Sequence, residues 1–215
     1  MVSRYAQHAR NWNGCKRCPL WETRRNVVLA RGKIPADVLL IGEAPGPSED
    51  VLAQPFIGPA GKLLDRAIAE ANRMVAIDEL GNDIVTTVTD RIAFSNLIAC
   101  IPLDEEAGRK FTEPPESSIV ACAPRLRELV AIAAPRAIVC VGGHAKEWVP
   151  VILESTALDA RGMRKEAKAG GLPTTWVYYS VQHPAAILRM NVAQQGLAYQ
   201  QLVVTLSDVF DSLRS

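Results

Sequence analysis

The chain has no apolar run long enough to cross a bilayer, and its 215 residues carry a net charge of only +1. The first lack excludes a helical membrane protein. The second excludes a globally basic nucleic-acid binder, so any polyanionic partner must be met by a local patch. No signal peptide opens the chain, which with five cysteines argues against a disulfide framework and for a reducing compartment, expected to be the cytoplasm and its nucleoid. Internal repeats, low-complexity stretches and linkers are missing too. With 48% apolar residues the chain is long enough to bury one good core, so residues 1–215 are expected to form a single domain, and a monomer.

Against that background the cysteines stand out by their layout. Cys15 and Cys18 form a C-x-x-C, a spacing that lets two thiolates reach one ion or one cluster edge. Cys100 falls near the end of the apolar run 95–101, and Cys122 lies in a predicted helix, so the set would tie an N-terminal metal-binding segment to two distant parts of the chain. Such a set holds either structural zinc or a [4Fe–4S] cluster, and spacing alone does not separate them. Zinc sites more often pair C-x-x-C with a second short-spaced pair, whereas Cys100 and Cys122 are far apart. Cys140, inside the strand-like run 137–141, reads as a small buried hydrophobe.

Strands and helices alternate along the chain. The continuous apolar run 37–42 reads as a strand buried on both faces, and 92–101, 136–142 and 174–181 as three more. Helices are predicted near 3–12, 62–73, 114–133, 144–153 and 192–213, and 159–173 reads as a loop. This alternation predicts an α/β fold, a three-layer αβα sandwich around a mainly parallel four-stranded sheet.

In such folds ligands gather beyond the carboxyl ends of the strands. The residues found there are Gly42, Glu43, Ala44, Pro45 and Gly46 after the first strand, Asn96 in the second, and His183 with Pro184 after the fourth. The glycines permit tight turns and close approach of backbone to a ligand. Two basic clusters, one of Lys16, Arg17, Arg24, Arg25, Arg31 and Lys33, the other of Arg161, Arg164, Lys165 and Lys168, are candidate phosphate contacts or ordinary solvated faces.

The stretch 42–65, GEAPGPSEDVLAQPFIGPAGKLLD, closely resembles the first signature of the family 4, iron–sulfur uracil-DNA glycosylases. The similarity continues in family order through Ser95-Asn96-Leu97, Glu113-Pro114-Pro115-Glu116 before Cys122, Arg161-Gly162 and the run from His183 to Arg189. The resemblance implies a monofunctional glycosylase that hydrolyses the N-glycosidic bond of uracil in single- or double-stranded DNA, leaving an abasic site. It also implies a [4Fe–4S] cluster on Cys15, Cys18, Cys100 and Cys122.

The residue roles implied follow the chemistry. The base is flipped into a pocket, where Phe56 would stack on it and the Asn96 amide would pair with uracil N3–H and O4, a pattern that cytosine reverses. His183 would donate a hydrogen bond to O2 as negative charge develops on the leaving base. Backbone N–H groups from Ala44 to Gly46 are a second source of donors to O2. Glu43 is the first candidate to face the oxocarbenium-like sugar and position water, with Glu49 and Asp50 behind it, because Ala44 stands where the non-iron branch has an aspartate. Glu49 and Ser48 would lie near the C5 edge of the base. Ile187 and Leu188 would either wedge into the gap left by the base or pack the last helix, while Arg189 and Arg161 would meet DNA.

Three departures from the family pattern matter. Acidic Asp104, Glu105 and Glu106 replace a basic stretch after Cys100. The segment 108–112 is similar to a loop that, in a branch trapping DNA covalently, carries a histidine. Phe111 and Thr112 stand there instead, so turnover is expected. Ala53 replaces a glycine before the Pro55-Phe56 pair, a change that matters if that turn needs positive φ. A non-hydrolytic DNA- or partner-binding relative, and a glycosylase for another base such as hypoxanthine, are the alternative readings.

Overall fold

The apolar runs build a sheet through the middle of the molecule. The computed structural model describes residues 3–75, 91–104, 110–154 and 177–214. Its main sheet consists of β1 (Arg31–Gly32), β2 (Val38–Gly42), β3 (Ile92–Asn96), β6 (Ala137–Val141) and β7 (Val177–Val181), and a separate ribbon pairs β4 (Leu103–Asp104) with β5 (Lys110–Phe111). The strand order is β1-β3-β2-β6-β7, with β1 antiparallel to β3 and every other pairing parallel. The sheet therefore has five strands, not the four expected. The added strand is two residues long, too short to show any periodicity in sequence.

Every residue of β2, β3 and β6 is buried, as a parallel sheet covered on both faces requires. Alternate side chains divide between two cores. Leu39, Ile41, Ile138 and Cys140 pack with Leu126, Val130, Val149 and Ile152 of α4 (Glu116–Ala133) and α5 (Gly143–Glu154). Val38, Leu40, Val139 and Val141 pack with Leu64, Ile68, Leu206 and Phe210 of α3 (Pro59–Val75) and α7 (Val192–Ser212). Cys140 is thus a core residue, and burial pushes its thiol up to about 11.

The remaining helices are α1 (Arg4–Trp12), started by the Ser3 hydroxyl accepting from the Ala6 N–H at 3.1 Å, and two short ones, α2 (Pro47–Leu52) and α6 (Pro184–Leu188). The strand expected over 92–101 stops at Asn96. There the chain leaves the ladder: the Leu97 and Ile98 N–H groups donate to the Gly42 and Glu43 carbonyls, and the buried Arg125 guanidinium takes the Asn96 and Leu97 carbonyls. Residues 174–176 of the fourth expected strand, Glu105 and Glu106, and the loop 159–173 with Arg161, Arg164, Lys165 and Lys168, lie outside the described residues. Among the described residues no helix is long and apolar enough to cross a membrane.

Candidate active site

The carboxyl ends of four parallel strands come level, Gly42 beside Asn96 and Val141 beside Val181, with the Gly142 N–H donating to the Val181 carbonyl at 2.9 Å. Over this edge opens a cavity of about 410 Å³. Glu43, Phe56, Asn96, His183 and Arg189 line it, with Ala44, Gly46, Ser48 and Glu49 of the first loop. Gly42 and Pro45 are buried but do not line it. Gly42 acts from beneath, because a Cβ there would lie 2.5 Å from Asn96 Oδ1 and 2.6 Å from Phe56 Cζ. Only glycine lets the first strand end pass that close under both side chains.

His183 is the N-cap of α6, and its Nδ1 accepts the Ala185 N–H at 3.2 Å. That bond fixes the neutral tautomer with hydrogen on Nε2, a donor. Burial lowers the pKa of His183, Glu43 opposes the shift and Arg189 adds to it. A Cβ on Gly142, at φ +98°, would come within 3.1 Å of the His183 Cβ, so this glycine also makes room for the ring.

Asn96 is almost fully buried, and its Nδ2 has no partner among the described residues while its side chain lines the cavity. An amide left unpaired at that depth is a group awaiting a ligand. Arg125, itself buried, braces the segment by donating to Ser95 Oγ at 2.9 Å and to the carbonyls of Asn96 and Leu97. In sequence Arg125 was one more charge in a helix, without any signal of this role.

The three carboxylates of the first loop have different fates. Asp50 is buried, and both its oxygens accept the Arg25 N–H at 3.0 Å while Oδ1 also takes the Asn26 N–H. It ties two loops together and is not free to hold water in the cavity, which corrects its place among the candidates. Glu49 Oε2 accepts the Gly46 N–H at 2.8 Å. Burial raises the Glu49 carboxyl, opposed by hydrogen bonds from the Gly46, Phe56 and Ile57 backbone and by Arg31. Glu49 thereby links the loop to the Phe56 turn. Glu43 keeps one oxygen uncommitted among the described residues: its Oε2 lies 2.8 Å from His144 Nδ1 on α5, a partner 101 residues away that no local pattern announces.

Phe56 adopts φ +57° and packs against Phe94, ring centroids 5.8 Å apart. The turn is latched by Arg31, which donates to the Pro55 carbonyl at 2.9 Å and to Asp65 at 2.6 Å while its guanidinium stacks 3.9 Å over Phe94. Arg31 therefore serves the pocket wall, not a basic face. Ala53, which closes α2, has φ +56°, so this turn does need the conformation that glycine adopts more easily.

Beyond His183, the two apolar wedge candidates separate. Ile187 is fully buried in the second core, which corrects its pairing with Leu188 as a DNA contact, whereas Leu188 is exposed. Exposed Phe111, from β5, reaches the cavity mouth. Arg161 lies outside the described residues.

On the other side of the sheet, Cys15, Cys18, Cys100 and Cys122 line one small cavity with Trp12, Trp21 and Arg125. None is disulfide-bonded. Burial pushes the Cys100 thiol up to about 12, with Cys122, Cys18 and Cys15 adding to the rise and Arg24 opposing it. The Nε atoms of Arg24 and Arg125 are buried without partners among the described residues. Four facing thiols beside unpaired guanidinium donors fit an anionic thiolate-ligated group, which would ionise the sulfurs and take up those donors. Among the described residues no three His, Cys, Asp or Glu side chains converge tightly enough to grip a single metal ion. The cysteines surround a space instead of a point. The nearby basic residues are largely engaged: Lys16 sits over Trp21, Arg17 over Trp12, and Arg24 donates to the Cys15 carbonyl at 2.6 Å.

A family model described as the uracil DNA glycosylase superfamily matches residues 29–206. A type-4 uracil-DNA glycosylase of Saccharolobus solfataricus is 31% identical over 183 residues, covering 81% of this chain and 72% of that protein. Proteins of the same description from Sulfurisphaera tokodaii and Archaeoglobus fulgidus are each 30% identical over 81% of this chain, covering 71% and 78% of their own lengths.

Proposed function

This chain belongs to the uracil DNA glycosylase superfamily, and from that premise we propose that it removes uracil from DNA by hydrolysing the bond between the base and deoxyribose. The observation that carries the reading is the convergence of Glu43, Asn96 and His183, from three strand ends, on one cavity walled by Phe56.

A uracil flipped out of the stack enters the cavity and lies against Phe56. Asn96 accepts from N3–H through Oδ1 and donates to O4 through the Nδ2 that has no partner among the described residues. Cytosine reverses both polarities, so it would leave two buried polar groups unmatched, a penalty of about 1–3 kcal/mol each. As the glycosidic bond breaks, its electron pair moves onto the base. His183, held neutral by burial and by the Ala185 N–H, donates from Nε2 to O2. A donor fixed before reaction stabilises that charge without reorganisation. Glu43 faces the electron-poor sugar, positions the attacking water and receives its proton.

Leu188 would fill the gap in the duplex, and Arg189 would meet phosphate at the cavity rim. The substrate is single- or double-stranded DNA containing uracil, bound by a monomer formed as one domain over residues 1–215, in the cytoplasm. Cys15, Cys18, Cys100 and Cys122 would hold a [4Fe–4S] cluster. When bound, that group supplies a cross-link between the N-terminal segment, the chain after β3 and α4.

The test is a labelled oligonucleotide with one uracil, treated with alkali after incubation. Strand scission by the wild type, reduced about 10²–10³-fold in His183→Ala, is expected. Absence of scission by protein with its four-cysteine site loaded would overturn the reading.

A further inference from the structure

His144 sits in the first turn of α5 and reaches across to the cavity without lining it. Its Nδ1 lies 2.8 Å from Glu43 Oε2, and Glu43 does line the cavity. Both side chains are partly exposed. The position is an unfavourable one for a cation, because a helix N-terminus carries partial positive charge and an acidic residue is preferred there. The first turn of α5 contains no acidic residue. Even so, the hydrogen bond with Glu43 keeps His144 above its ordinary value, with Glu113 and Glu147 adding to the rise and partial burial opposing it. A helix start that would rather hold an anion holds a histidine committed to a carboxylate from another strand end.

We infer that His144 is a positioning residue for excision, aiming the Glu43 carboxylate so that its second oxygen faces the water that attacks the sugar. This rests on the glycosylase reading given above. With Oε2 bound to the imidazole, the Glu43 carboxylate is held from one side and Oε1 has no partner among the described residues. In the step served, the C1′–N1 bond breaks with its electron pair leaving on uracil. A C1′–O bond forms from water, and the water proton passes to the Glu43 carboxylate. His144 touches neither base nor sugar and acts through Glu43 alone.

The experiment measures single-turnover uracil release and KM on a uracil oligonucleotide for wild type, His144→Ala, His144→Asn, Glu43→Gln and the double variant Glu43→Gln/His144→Ala. Asparagine is chosen because its Nδ2 can occupy the place of the imidazole Nδ1. Removing the aim is expected to slow release about ten-fold in His144→Ala, with KM within about two-fold of wild type. His144→Asn should recover to within about three-fold. In the Glu43→Gln background, already slowed on the order of 100-fold, loss of His144 should cost nothing further.

Three results would each overturn the proposal. One is full activity in His144→Ala, and another is a loss carried by KM, which marks a phosphate contact. The third is a double variant slower than Glu43→Gln by the whole His144→Ala factor. A wild type that releases no uracil would instead bring down the glycosylase reading itself, and this proposal with it.

Discussion

The cavity over the sheet edge and the cavity of the four cysteines are finished to different degrees. At the carboxyl edge of the sheet, nearly every polar group is held by the protein: His183 by the Ala185 N–H, Glu49 by the Gly46 N–H, and Glu43 by His144. The buried Asn96 Nδ2 is without a partner among the described residues, on a side chain that lines the cavity. The cysteine cavity is the opposite, with four free thiols, one of them strongly resisting ionisation, and buried guanidinium nitrogens without partners. The first cavity is prepared for a transient guest. On the reading proposed above, the second would hold a permanent one. Preorganisation for catalysis and a stabilising cross-link would then be divided between two regions of one small chain.

The strongest way to break that contrast is to remove the buried, unpaired amide of the first cavity. Asn96→Ala is expected to lower single-turnover release of uracil about 10²–10³-fold, read by quenched-flow or manual time courses, with the melting temperature nearly unchanged. Its backbone carbonyl, which Arg125 grips, survives the substitution. Next in size, Cys100→Ser, or stripping the bound group with a chelator, should lower stability by about 2–4 kcal/mol, as loss of a long-range cross-link does. Denaturant midpoints would record it, together with loss of iron and sulfide from the protein. At temperatures where the fold survives, release of uracil should stay within a few-fold of wild type, because none of the four cysteines lines the uracil cavity.

Acid should sharpen the contrast further. Burial lowers the pKa of both His8 and His183 below the ordinary 6.5. Each is held neutral in the fold while the unfolded chain takes up protons, so their contribution is complete above pH 6.5 and is lost as pH falls toward their depressed values. His144, raised by Glu43, runs the other way, stabilising below 6.5 and losing its contribution as pH rises through its raised value. Melting temperatures across pH 5–8 should therefore fall on the acid side, and His8→Phe should flatten that fall while leaving uracil release intact. The smallest effect is expected at Ala53, whose φ of +56° costs an alanine more than a glycine. Ala53→Gly should stabilise by roughly 0.5–1 kcal/mol, visible as a rise of a few degrees in Tm.

The sheet interior was legible because β2, β3 and β6 are continuous apolar runs, and the motif from Gly42 to Asp65 placed the first loop at a strand end. The long helices followed from their periodicity and caps. What stayed hidden depends on contacts between distant residues. β1 is too short to carry a pattern, and nothing local distinguishes Arg125, fully buried, from Arg127 two residues on. Ile187 and Leu188 are alike in sequence, yet one faces the core and the other solvent. Asp50 stood behind Glu43 as a candidate to hold water, and contacts between distant residues decide between them: the Arg25 and Asn26 N–H groups occupy Asp50, while His144 takes one oxygen of Glu43.

The most direct measurement is release of free base, quantified by mass, from matched uracil- and cytosine-containing oligonucleotides by the wild type and by Gly42→Ala. That substitution removes no polar group, but it drives a methyl into Asn96 and Phe56. The expected result is uracil without cytosine from the wild type, and a loss of about 100-fold or more in the variant at unchanged cluster content. Equal release by the two proteins, or no uracil from the wild type, would contradict a pocket prepared in advance for that base.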